Sequence, residues 1–312
     1  MAFGRDTGKS SDPLCDFAML NSDLLLTFLQ VVRRGNALAA ARAMGVDHST
    51  VIRRLTQLEA ALDTRLFDRS PRGLAPTAAA LALVTGAEKV EAAIMAATDD
   101  VVGRDGDISG TVRLATPEIF GTFLVAPNIA GIAERHPRLV LELSPESRSI
   151  SLSKREADIA ITLRRPPRGR LIARKLTDFR LGLYASRSYL EQHPTIETLK
   201  DVESHGFVSY IDELVASPEM VALDYVVPDA RVVFRSSSSI AQHLAVTAGL
   251  GLGILHVLAS EKDDRLVRIL VDEVEVVRSY WLVVHSDLSR LPRVRAVMDF
   301  LEELIVDHAP IL

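Results

Sequence analysis

The chain has 312 residues, enough for two or three domains with sizeable cores. Hydrophobic residues make up 48% and charged residues 25%, an ordinary globular balance with no apolar run near the ~20 residues that span a bilayer, which excludes a membrane-spanning helix. One cysteine, Cys15, excludes an internal disulfide framework and a cysteine-cluster metal site, and the net charge of −5 is uneven: residues 20–76 carry +3 while the remainder is acidic.

Residues 1–19 read as a disordered extension, because their Gly, Ser, Asp and Lys content cannot bury enough surface to order itself. Gly4 to Ser10 looks like a phosphate-binding loop, but three residues separate the glycines where that motif requires four, and no strand precedes it. The first twenty residues lack the continuous apolar stretch of a secretory signal, so a cytoplasmic protein is expected.

From residue 21 the pattern becomes regular. Leu24, Leu25, Phe28, Leu29 and Val32 form one apolar stripe on a helix started by Asn21 or Ser22 and ended near Gly35. An alanine-rich helix follows over about 36–44, where Ala39, Ala40 and Ala43 allow close backbone approach and Gly45 supplies the positive φ that stops it. Asp47 is a good N-cap for a third helix with Val51, Leu55, Leu58 and Leu62 on its buried face. Its other face carries His48, Ser49, Thr50, Arg53, Arg54 and Gln57, the side-chain types that contact bases and phosphates. Residues 66–73 then read as a basic hairpin bearing Arg69 and Arg72. Any surface helix shows polar residues outward; it is the series of stripe, Gly turn, stripe and basic wing that indicates a winged helix-turn-helix, the domain assigned to 20–77.

Residues 77–102 are rich in Ala, Leu, Val and Glu without proline, and Leu81, Val84, Ala87, Val90, Ile94 and Ala97 recur at helical spacing. A helix of ~26 residues is ~39 Å long, more than one small domain covers, so its stripe needs a partner. Residues 103–107 read as a hinge, and 78–106 as a linker helix with that hinge, whose stripe lies either along its own subunit or against a second one.

Beyond the hinge, strands and helices alternate. Strands are expected at 111–115, 139–144, 158–163, 179–185, 206–209, 231–235, 252–255 and 280–285. Helices are expected at 120–135, 151–156, 238–248 and 292–306, with a proline-rich loop at 164–170. Such alternation implies an α/β domain over 107–312 built on a parallel sheet with crossover helices.

The segment Val46 to Leu55, with Leu58-Glu59 and Arg65-Leu66-Phe67-Asp68-Arg69, closely resembles the DNA-binding domain of LysR-type transcriptional regulators. Ser109 to Pro117, Ala157 to Ile161 and Ala248 to Ile254 resemble three further signatures, so the resemblance runs over roughly 20–305. It implies a C-terminal two-lobed, periplasmic-binding-protein-like effector domain, with the second lobe at roughly 168–270. It also implies a homodimer or homotetramer paired through the long helix, with double-stranded promoter DNA, a small-molecule effector and RNA polymerase as partners. The sequence departs from the family pattern at Asp47, Ile52, Ala78-Ala79-Ala80 and His256.

In open α/β sheets ligands bind at the carboxyl ends of strands, where helix N-termini favour anions. Thr116, following the first strand, and Ser237 and Ser238, preceding a helix, stand at such junctions, and the resemblance implies that these positions face the interlobe cleft and hold the effector; Thr162, Arg164 and Tyr210 are further candidates. Plain N-capping accounts for a Ser or Thr at these positions equally well. An anionic organic effector is the expectation, although Glu118 lies awkwardly close. His256 reads as a partly buried, satisfied histidine rather than a ligand.

No Gly-x-Ser-x-Gly elbow, no His-Glu-x-x-His and no cysteine-spaced metal site is present, and Gly249-x-Gly251-x-Gly253 follows a helix rather than opening one. An enzyme is therefore not expected, nor a cofactor or bound metal. A solute-binding module with an accessory domain fails on the missing signal.

Overall fold

The computed structural model describes residues 21–70, 73–102, 108–146, 157–166, 170–215 and 217–312, with the backbone alone at 69, 70 and 99–102. The chain divides into two compact units at Thr98.

The first unit opens with α1 (Ser22–Arg34), where Asn21 accepts from the Leu24 N–H and caps the helix. Phe28, Leu29 and Val31 are buried beneath it. Helix α2 (Ala37–Met44) is capped by Asn36 and stopped by Gly45 at φ 64°, a conformation costly for any residue with a Cβ. Ala37, Ala40 and Ala41 form its buried face, whereas Ala43 is exposed. Helix α3 (His48–Ala61) buries Val51, Leu55 and Leu58, but Asp47 makes no side-chain capping bond, contrary to expectation. Strands β1 (Phe67–Ser70) and β2 (Gly73–Pro76) pair antiparallel to form the wing.

The long helix α4 (Ala78–Val102) starts where predicted. Its buried face is Ala80, Ala87 and Ala92, with Leu83 and Val84 packed on the same core as α1 to α3. Leu81, Val90 and Ile94, three positions of the expected stripe, are instead 60%, 36% and 38% exposed. The small alanines let α4 lie close against its own unit and leave the larger residues outward.

The second unit is an α/β domain around one nine-stranded sheet among the described residues. The first strands are β3 (Ser109–Thr116), β4 (Arg138–Pro145) and β5 (Ile159–Thr162), paired in parallel with β3 in the middle. Strand β6 (Leu171–Ser186), sixteen residues long, leads to α6 (Arg187–Gln192), β7 (Phe207–Ser209), α7 (Leu223–Val226) and β8 (Val232–Arg235). Then come α8 (Ser239–Thr247), β9 (Leu252–His256), α9 (Val257–Ser260), β10 (Leu266–Ile269), β11 (Glu275–His285) and α10 (Pro292–His308).

The single helix expected at 120–135 is a π-helical turn (Phe120–Val125), a 3-10 turn (Ala126–Asn128) and α5 (Ile129–Arg135). Pro127 lacks the N–H an unbroken helix would use there. The sheet is mixed rather than parallel, because β11 runs antiparallel to both β5 and β6, and β9 and β10 are antiparallel to β6. Alternation predicts parallel pairing only for strands joined by crossover helices, and these strands come back by other routes.

That pairing divides the domain into two lobes. Strand β5 pairs with residues 281–284 of β11, whereas β9 pairs with the far end of β6, at 181–184, so β6 and β11 cross between the halves. Ala115, Ala157, Ala160 and Val283 pack in one core; Leu183, Tyr189, Phe207 and Leu252 pack in another. The helix expected at 151–156 and the hinge at 103–107 lie outside the described residues.

Candidate nucleic-acid interface and effector cleft

Burial of Val51, Leu55 and Leu58 turns the opposite face of α3 outward. His48, Ser49, Arg53 and Gln57 are exposed on it, and Thr50 is half-buried at its margin. Arg54 does not join this face. Its Nη2 pairs with Asp23 Oδ2 at 3.1 Å and its Nη1 donates to Thr27 Oγ1 at 3.3 Å, tying α3 back to α1. Expected on the exposed face, Arg54 is instead half-buried and paired within its own domain. Arg69 sits opposite Leu74 in the wing, its side chain outside the described residues, as is Arg72 altogether.

Glu59, one turn beyond the exposed face, accepts from the Leu66 and Phe67 N–H groups at 2.7 and 3.1 Å. It fixes where the wing departs from α3. Nothing in the sequence singles it out, since a glutamate on a helix looks like any solvated acid.

In the second unit a cavity of about 310 Å³ opens between the lobes. Thr116, at the carboxyl end of β3, Thr162, at the end of β5, Arg164 and Tyr210 all line it, as expected. Ser237 and Ser238 do not; Ser239 takes their place. Ser238 is the N-cap of α8, its Oγ accepting from the Ala241 N–H at 3.1 Å and donating to Glu118 Oε1 at 2.8 Å. One residue further along, Ser239 meets the cavity and shares a 2.7 Å hydrogen bond with the Tyr210 hydroxyl. Burial pushes the Tyr210 phenol up to about 12, so it remains a neutral hydrogen-bonding group.

Thr116 is 3% exposed, and its hydroxyl has no hydrogen-bond partner among the described residues. Gly121 makes room for it, since a Cβ there would lie 2.3 Å from Thr116 Oγ1. A buried hydroxyl without a partner costs roughly 1–3 kcal/mol, which a bound molecule could recover.

The floor is apolar: Ile161, Phe179, Leu181 and Ile254 line it, and the His256 ring stacks on Phe179 with centroids 5.0 Å apart. Burial drives the His256 imidazole down to about 3, so it is neutral. At the rim Arg164 pairs with Glu219 at 3.4 Å, and Thr162 donates to the Arg164 carbonyl. His256 was expected to be partly buried, which it is, but its place in the cavity wall was not foreseen. Among the described residues no cluster of His, Cys, Asp and Glu could hold a metal ion.

A helical DNA-reading domain with a β wing, followed by a two-lobed α/β domain enclosing a cavity, defines a ligand-binding transcription regulator. Comparison with known proteins narrows this class. Residues 22–81 match the family described as "Bacterial regulatory helix-turn-helix protein, lysR family", and residues 105–305 match the "LysR substrate binding domain". The chain belongs to the LysR-type transcriptional regulators, which are regulators rather than enzymes.

Among its relatives, the probable regulator LtrA of Klebsiella pneumoniae is 26% identical over 303 residues, covering 90% of this chain and 94% of that one. The Mau operon transcriptional activator of Paracoccus denitrificans is 25% identical over 92% of this chain and 98% of its own. The full-length structure of LysG from Corynebacterium glutamicum with bound effector arginine has the same fold, with a TM-score of 0.63 at 20% identity over 92% of this chain and 99% of that one.

Proposed function

We propose that this regulator reads promoter DNA through His48, Ser49, Thr50, Arg53 and Gln57 of α3, with Arg69 and Arg72 of the wing on the phosphates, and that an effector in the interlobe cavity controls the reading. The observation that carries the effector site is the buried, partnerless Thr116 hydroxyl on a mostly apolar cavity. Thr162, Arg164, Tyr210 and Ser239 complete its polar contacts. Ser238 caps the helix rather than meeting the ligand, and Ser237 does not line the cavity.

The effector proposed is a small organic molecule whose apolar body rests on Phe179 and Leu181 and whose polar group meets Thr116. The expectation of an anion relied on open N–H groups at the head of α8, and the Glu118 carboxylate stands there. A homodimer or homotetramer, acting in the cytoplasm and in contact with RNA polymerase, is the working form. Leu81, Val90 and Ile94 support pairing through α4, since three large apolar side chains exposed on one helix are stabilised by a second copy.

The test is a thermal-shift screen of small organic acids, amides, alcohols and amines on the full-length protein, followed by gel shifts on its own promoter. A ligand at ~100 times its Kd stabilises by ~2.7 kcal/mol. Such a ligand is expected to shift the protein–DNA complex as well; a stabilising ligand that leaves the DNA complex unchanged would sink the regulatory reading.

A further inference from the structure

Glu118 joins parts of the chain 120 residues apart. It follows Thr116 and Pro117 at the end of β3, in the first lobe, and crosses to the head of α8, in the second. There Glu118 Oε1 accepts from the Ser238 hydroxyl at 2.8 Å and Oε2 from the Ile240 N–H at 3.3 Å. The Ala241 N–H goes to Ser238 Oγ. Two of the first three N–H groups of α8 are thus occupied, one of them by a carboxylate belonging to the protein.

A helix N-terminus attracts negative charge because its first N–H groups are free and the peptide dipoles point their positive ends there. Glu118 supplies that charge from inside the molecule. A ligand carboxylate brought to the same place would meet Glu118 as a like charge in a partly desolvated cavity, and would have to displace two hydrogen bonds to enter. The partnerless Thr116 hydroxyl lies on the same cavity, two residues before Glu118, and is an opening for a ligand that does not compete for α8.

We infer that Glu118 sets the charge of the effector: its carboxylate holds the anion position at the head of α8 from across the cavity, so the site selects an uncharged hydrogen-bonding group beside Thr116 and rejects a carboxylate. Glu118 is a specificity-determining residue in this scheme, and the inference rests on the effector cavity proposed above. The apolar floor of Phe179, Leu181 and Ile254 suits an aryl or alkyl body attached to an amide, alcohol or carbonyl.

The experiment compares two molecules of the same shape, benzamide and benzoate, by isothermal titration of the full-length protein and its Glu118→Gln and Glu118→Ala variants. The wild type is expected to bind benzamide more tightly than benzoate. Benzoate binding is expected to tighten about tenfold or more in both variants while benzamide stays within about threefold, because only the anion feels the removed charge. If the benzoate-to-benzamide ratio is the same in all three proteins, or if neither variant takes up benzoate measurably, the role of Glu118 is overturned.

Met220→Trp, which fills the cavity from its half-buried rim, separates this result from failure of the cavity itself. It is expected to abolish binding of both probes. Probes that bind Met220→Trp as well as the wild type do not occupy the cavity, and that outcome overturns the effector site together with the inference built on it.

Discussion

Arg33 of α1 gives both terminal nitrogens to Glu91 of α4, at 2.9 and 2.7 Å, with the two side chains only 12% and 8% exposed. Glu88, one turn earlier on α4, lies 3.9 Å from the same guanidinium. The pair is bidentate and nearly dry, so it fixes the angle at which the long helix leaves the DNA-reading domain. Removing one partner costs at most the roughly 3–5 kcal/mol of breaking a fully enclosed pair, and less where Glu88 remains beside the guanidinium. Glu91→Ala and Arg33→Ala are each expected to lower the unfolding free energy of the first unit, measured by urea denaturation, by up to that amount. The double variant should lose less than the sum; full additivity would show that the two residues act independently.

On α3, adjacent arginines have different duties. Arg53 is exposed and free to meet a base edge, where a good bidentate contact discriminates by about 1–3 kcal/mol. Arg54 is held by Asp23 and Thr27, a partly exposed pair contributing about 0.5 kcal/mol to stability. Arg53→Ala is expected to flatten sequence preference in a competition gel shift. Arg54→Ala should weaken specific and nonspecific DNA alike, and Asp23→Ala should reproduce part of its effect by releasing α3 from α1. A loss of base preference in Arg54→Ala equal to that in Arg53→Ala would return Arg54 to the reading face.

The contrast between these arginines also marks what the sequence could reveal. Helix periodicity placed Val51, Leu55 and Leu58 inward and therefore most of the reading face outward. It could not show that Arg54, at the edge of that face, has Asp23 within reach, because the partner is 31 residues away and is brought near only by packing. Glu59, Glu88 and Glu91 were hidden for the same reason: a carboxylate on an amphipathic helix looks solvated until its partner is located. In the second unit, strand ends led to Thr116 and Thr162, which do line the cavity, since a strand end is a local property. Ser239 was missed by one position because the run Ser236 to Ser239 has no local feature that says which hydroxyl caps and which faces the cavity. The antiparallel course of β11 depends on long-range pairing that alternation of elements does not encode.

His256 gives the domain a pH dependence of known sign. Burial holds its folded-state value down to about 3, against 6.5 for the free side chain, so between these values the unfolded chain binds a proton that the folded one refuses. Stability contributed by the neutral ring is present above about 6.5 and lost as the pH falls toward 3. One edge of the ring faces the cavity, which limits the loss to about 1–2 kcal/mol. His256→Phe, which can keep the stack on Phe179, is expected to flatten the stability profile between pH 6.5 and about 4 in chemical denaturation. A variant whose profile parallels the wild type would place the acid sensitivity elsewhere.

Thr116 tests the cavity from the opposite direction, through a group that costs stability until it is used. Its hydroxyl is buried, has no partner among the described residues, and sits against Gly121, where even a methyl group would collide. Valine has nearly the same shape and no hydroxyl. Thr116→Val therefore removes an unsatisfied polar group without opening a cavity, and the free protein is expected to be unchanged or up to about 1 kcal/mol more stable. Most core substitutions destabilise, so a raised melting temperature here is a specific sign. The same variant should bind an effector found by the thermal-shift screen about tenfold more weakly, since its polar group would meet a methyl instead of a donor. A structural hydroxyl would give the opposite pair of results: loss of stability on substitution and unaltered ligand affinity. Stability without ligand and affinity with it thus move in opposite directions only if Thr116 is reserved for the effector.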